Sequence, residues 1–122
     1  MSQSVLLTIA RQSIQEVLQA EQTINRNELL EHYPVLSEPM ATQIILTLDD
    51  QIRGSAKSEF PERSLLEDII RNAKLAAFED ENFTPLSTSE YLRCRIQLTL
   101  FSAEGPLSHS DEPILSSQQR PG

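Results

Sequence analysis

Between Leu92 and Leu100 the chain alternates strictly. Leu92, Cys94, Ile96, Leu98 and Leu100 are apolar, and Arg93, Arg95, Gln97 and Thr99 between them are polar. Successive side chains of an extended chain point to opposite faces, so this stretch predicts a strand with one face buried and one in water. Such a strand needs a covering layer, and two helical patterns supply it. Val5, Leu6, Ile9, Ala10, Ile14, Val17 and Leu18 recur at helical spacing and predict a helix over about 4–20. Gln3, Arg11, Gln12, Gln15 and Glu16 fall outside that apolar stripe. Leu65, Leu66, Ile69, Ile70, Ala73, Ala76 and Ala77 make a second stripe that stops near Glu79. Ser64 and Glu67 open it with a capping-box pattern. The small residues Ala73, Ala76 and Ala77 imply close approach to a sheet.

A hairpin is predicted upstream of that helix. Thr42, Ile44, Ile45 and Thr47 are branched at Cβ and fit a pleated surface. Ile44, Leu46 and Leu48 share a face, Asp49-Asp50 marks the turn, and Gln51-Ile52-Arg53 returns. A shorter helical turn over 27–32 is ended by Pro34. Ser87-Thr88-Ser89-Glu90 is a further capping box that starts a single helical turn. After Phe101 the apolar pattern fails. Residues 102–122 are rich in Ser, Pro, Gly and Gln and read as a loop or disordered tail, leaving 1–101 as the folded unit. The order of elements gives an α+β fold, a mainly antiparallel sheet packed against two principal helices.

Composition narrows the function classes. The net charge is -8 over 122 residues, which argues against a nucleic-acid binder and against docking to an anionic membrane. No apolar run is long enough to span a bilayer, and no basic start precedes an apolar core as in a signal peptide. The expected location is the cytoplasm. The single cysteine, Cys94, allows neither an intramolecular disulfide nor a thiolate metal cluster within one chain. On the apolar phase of the last strand it reads as an inert buried residue. His32 and His109 are the only histidines, too few to hold a metal by themselves. No metal and no cofactor is expected.

Two short segments are candidates for binding. In Arg53-Gly54-Ser55, Gly54 permits close backbone approach and Arg53 offers a forked donor for a carboxylate or phosphate. The bland alternative is a relaxed strand end with a solvated charge. A phosphate-cradling reading of Lys57-Ser58 fails, because no Gly-rich run precedes it. In Glu79-Asp80-Glu81, three acids beside Asn82 offer hard oxygen ligands to a cation; the alternative is a solvated acidic turn. A Ser55 nucleophile would need a neighbouring base, and the sequence offers none. No catalytic residue is therefore assigned, and the expectation leans away from an enzyme.

These pieces occur in a telling order: Ile52-Arg53-Gly54 after a strand, then Asp80, Phe83, Pro85 and Leu86 between helix and strand, then Glu90. With Ile9-Ala10-Arg11 and Ile14 in the opening helix, the chain resembles the AMMECR-one domain family, protein A of the AmmeMemoRadiSam system. Where that family reads Leu-Arg-Gly-Cys-Ile-Gly, this chain has Ser55, Ala56 and Lys57 in the last three places, so the family's thiol is absent. The resemblance implies that Phe83 and Leu86 plug the core and that Asp80 caps the turn. It also implies an accessory or binding module beside a Memo-type protein and a radical-SAM enzyme. Self-association is the alternative to such a partner; an inactive remnant or half of a split gene is the alternative function, with an enzyme centred on Arg53 to Ser55 last. The family domain is longer, so only its N-terminal part is expected here, incomplete relative to the whole.

Overall fold

A computed structural model describes residues 5–102 and 104–111. Helix α1 spans Val5–Gln19, α2 Arg26–His32, α3 Leu65–Phe78 and α4 Thr88–Arg93. The strands are β1 Ala41–Leu48, β2 Gln51–Lys57, β3 Arg95–Ser102 and β4 Gly105–Ser110. They form one antiparallel sheet in the order β2-β1-β3-β4. The α+β class expected from the sequence holds.

The alternation that predicts the last strand fixes the core. Ile96, Leu98 and Leu100 of β3 face the same side as Ile44 and Leu46 of β1, and all five are buried. Against them pack Leu7, Ile9, Ala10 and Ile14 from α1 and Leu65, Leu66, Ile69, Ala73, Ala76 and Ala77 from α3. The opposite face, with Arg95, Gln97, Ser55 and Lys57, is left to solvent. The strand starts later than its pattern suggests. Leu92 belongs to α4, and Cys94, completely buried, caps that helix before β3 begins.

The hairpin turns without glycine. Asp49 (φ 53°) and Asp50 (φ 66°) both adopt the left-handed conformation, between the paired residues Leu48 and Gln51. That is the mirror-image turn whose twist matches a hairpin, and aspartate tolerates it better than most side chains. The ladder then slips. Leu46 pairs with Gly54 but Thr47 pairs with Ile52, which leaves Arg53 as the extra residue of a β-bulge. Gly54 lies against α3, and a Cβ added there would stand 2.1 Å from the Ala76 carbonyl oxygen. The close approach implied by the alanines is therefore met by the one residue type that permits it.

The tail expected from 102 onward is corrected. Gly105–Ser110 is strand β4, paired along β3 from Ser102↔Gly105 to Gln97↔Ser110, and Asp111 beyond it is buried. Composition hides this strand because its only large apolar residue is Leu107. The polar backbone of β3 needs a partner on that side, and the tail provides it. Residues 112–122, the rest of the expected tail, lie outside the described residues. In α1 the helical stripe is also adjusted. Val17 is 45% exposed, whereas Arg11 and Glu16, read as outside the stripe, are buried.

Candidate functional site

The Arg53-Gly54-Ser55 segment and the acidic turn do come together. The bulge turns the Arg53 side chain under the sheet edge toward the loop before α4. Its Nε donates to Glu90 Oε2 at 3.0 Å and its Nη2 to Glu90 Oε1 at 2.9 Å and to the Thr84 carbonyl at 2.8 Å. The guanidinium lies over the Phe83 ring, 5.4 Å from its centroid. Phe83, expected to plug the core, is 38% exposed and covers Arg53 instead, while Leu86 is buried as expected. Among the described residues, Arg53 Nη1 is the one buried side-chain polar atom without a hydrogen-bond partner.

Glu90 is held twice. Ser87 and Glu90 complete the capping box predicted for α4, so the same carboxylate receives the Ser87 N–H and the Arg53 fork. The Arg53 hydrogen bonds, followed by the Ser87 N–H, hold its carboxyl down to about 2, against an ordinary 4.5. By contrast, Ser64 caps α3 but Glu67 turns away from the box to pair with Arg26 at 2.7 Å.

Asp80 caps its turn and also the neighbouring strand. It accepts the Asn82 N–H at 2.8 Å and the Ser55 N–H at 3.0 Å. The Asn82 N–H first, opposed by burial and helped by the Ser55 N–H, holds its carboxyl below the usual carboxylate range. Glu79 is exposed and ends α3. Ser55 is exposed too, and its hydroxyl makes no hydrogen bond among the described residues, so no base stands ready to activate it. His109 sits on β4, at the far edge of the sheet, and His32 ends α2. No group of three or more His, Cys, Asp or Glu converges as a metal site among the described residues. Burial pushes the Cys94 thiol up, away from a reactive thiolate.

Two buried polar groups escaped the sequence reading. Arg11 Nε and Nη2 form a fork with Asp111, at 2.7 and 3.2 Å. The same guanidinium donates to the Tyr91 and Cys94 carbonyls at 3.2 and 2.8 Å and lies over the Tyr91 ring. Asp68, fully buried, accepts from the Thr42 N–H and hydroxyl, the Ser58 hydroxyl and Arg63, and Asn72 joins the cluster. This ties α3 to the start of β1 and the segment after β2. The available signal was Asp68 and Asn72 at i, i+4 within an otherwise apolar helix face.

Fold and site together define a two-layer α+β domain whose central arginines grip its own turns. A family model described as AMMECR1 matches residues 7–119, and the chain belongs to that family. The match covers nearly the whole chain, and the expectation of a resemblance confined to an N-terminal part of the domain is not borne out by it. Among solved structures the chain is similar to an uncharacterised protein, PH0010, from Pyrococcus horikoshii, with a TM-score of 0.70 at 24% identity. That likeness covers 78% of this chain and 48% of the other, so the chain spans about half the length of that protein. No curated protein matches it.

Proposed function

We propose that this protein is a binding module, an accessory to a Memo-type protein and a radical-SAM enzyme in the cytoplasm. One observation supports this most directly. The residues that would carry chemistry are occupied in holding the fold: Arg53 grips Glu90 and Thr84, and Asp80 is bonded to Ser55 and Asn82. With Nε and Nη2 so engaged, only the buried Nη1 is left, a single donor without the fork that grips a phosphate or carboxylate. What remains for function is the surface. Among the described residues no helix is long and apolar enough to cross a membrane, which is compatible with that location.

Sedimentation of the purified chain mixed with purified Memo-type and radical-SAM proteins tests the reading. Co-sedimentation with either one supports it. Independent migration in every mixture overturns the accessory role. A hydrolytic activity that disappears in Ser55→Ala would overturn the non-catalytic role.

A further inference from the structure

The two edges of the sheet are finished differently. Hydrogen-bond parity along an antiparallel ladder decides which backbone groups face outward. Asp111 N–H donates to the Ile96 carbonyl, and the pairing of β3 with β4 is regular from there to Gly105. The groups of residues 111, 109, 107 and 105 therefore point toward β3, and those of Pro106, Ser108 and Ser110 point away from the sheet. On the other side, Ser58 N–H donates to Thr42, so the N–H groups of Lys57 and Ser55 face outward before the bulge, and Asp80 takes that of Ser55. The middle of the β2 edge is thus blocked by the acidic turn. Among the described residues, the outward N–H groups of Ser108 and Ser110 have no such partner. Pro106 stands at an outward position, the place where a sheet edge accommodates proline.

Beside this open edge lies an apolar groove of about 330 Å³. Leu107 (49% exposed) forms one wall; Val5, Leu6, Tyr33, Val35 and Met40 are among the others. Leu107 pairs with buried Leu100, so its side chain is on the helix face of the sheet. A residue placed opposite Leu107 on an added strand would project onto that same face, over the groove.

We infer that the outer edge of β4 receives an extended segment of a separate, non-acidic polypeptide as a fifth strand, with an apolar side chain seated in the groove. Outward donors and acceptors two residues apart match an extended backbone and neither a helix nor a nucleic acid. The lining calls for an apolar anchor. The charge of -8 on this chain favours a basic or neutral segment and opposes a second copy. A twofold pairing of two β4 edges about Ser108 would form only four bonds among the described residues, since Pro106 has no N–H to give. The inference rests on the binding-module reading and names the surface through which it acts.

The test uses the full chain and two synthetic heptapeptides alternating valine with lysine or valine with glutamate, followed by amide hydrogen exchange resolved by NMR. At saturating lysine peptide, exchange at Ser108 and Ser110 should slow by roughly tenfold or more while Ser55 is unchanged. The glutamate peptide and a lysine peptide N-methylated at alternate residues should protect neither, and Leu107→Lys should abolish protection while leaving the melting temperature of the free chain in place. Equal protection by both charged peptides would overturn the charge argument, and no protection by either would overturn the docking edge. A dimer in sedimentation of the chain alone, with Ser108 and Ser110 already protected, would assign the edge to a second copy. Exchange in the Memo-type or radical-SAM mixture separates the two proposals: a complex that leaves Ser108 and Ser110 unprotected sinks the edge and spares the accessory role.

Discussion

Arg11 and Arg53 do the same job at the two ends of α4. Each places its guanidinium over an aromatic ring, 5.3 Å from Tyr91 and 5.4 Å from Phe83. Each forks onto a carboxylate and also holds main-chain carbonyls beside the short helix. They differ in how completely water is shut out. The Asp111 side chain is 2% exposed, whereas that of Glu90 is 30% exposed. Identical chemistry therefore has unequal energetic weight. Removing the arginine of the fully buried pair leaves its carboxylate shut away from water, while the partly exposed Glu90 can fall back on solvent.

Arg11→Met is the most severe way to break the comparison. It takes the guanidinium away from the buried Asp111 carboxylate, and should cost about 3–5 kcal/mol in urea denaturation. The double variant Arg11→Met with Asp111→Leu should recover most of that loss. A single variant with an unchanged midpoint would mean that the two arginines are equivalent after all.

The next largest effect lies beside Arg53. Gly54→Val drives a side chain into the Ala76 carbonyl, which belongs to a helix backbone that cannot yield cheaply. A loss of about 3 kcal/mol is expected, with β2 and the Arg53 bulge displaced together. Thermal unfolding and the Arg53 Nε–H resonance would report the two consequences.

Acid should separate the pairs more gently. The Arg53 fork depresses the Glu90 carboxyl from 4.5 to about 2, so its contribution is full above about 4.5 and disappears as pH falls from there toward 2. After allowance for solvent screening this amounts to about 1–2 kcal/mol. Urea midpoints across that window should fall more steeply for the natural chain than for Glu90→Gln. Parallel curves would remove the Arg53–Glu90 pair from the account.

The smallest effect is expected from Phe83→Leu. It keeps an apolar cover over Arg53 and removes the ring's attraction for the cation, worth about 0.5–1 kcal/mol at such a site. A loss several times larger would show that Phe83 belongs to the core after all.

The same two arginines show what the sequence could and could not disclose. Strand alternation, two amphipathic helices and two capping signals are local patterns, and each yields a real element. Arg53 drew attention through its neighbours Gly54 and Ser55, and the structure does bring that segment to the acidic turn. Its use as an internal clamp depends on a one-residue slip in the ladder, which no spacing rule exposes. Arg11 sits on the polar side of a helical wheel, and only the return of residue 111 makes that side an interior. Strand β4 was missed for a related reason: a short edge strand with one large apolar residue is defined by its partner more than by its own composition. Asp68 was hidden because burial of a carboxylate is decided by five donors spread over three segments.

The Arg11–Asp111 fork also sets an order of events during synthesis. Its partners are 100 residues apart, so the arginine leaves the ribosome long before its aspartate exists. At roughly 5–20 residues per second the interval is about 5–20 s. Throughout it, docking α1 would bury a guanidinium with no carboxylate to meet it. The paired seat of α1 is therefore complete only once residue 111, just past β4, has emerged.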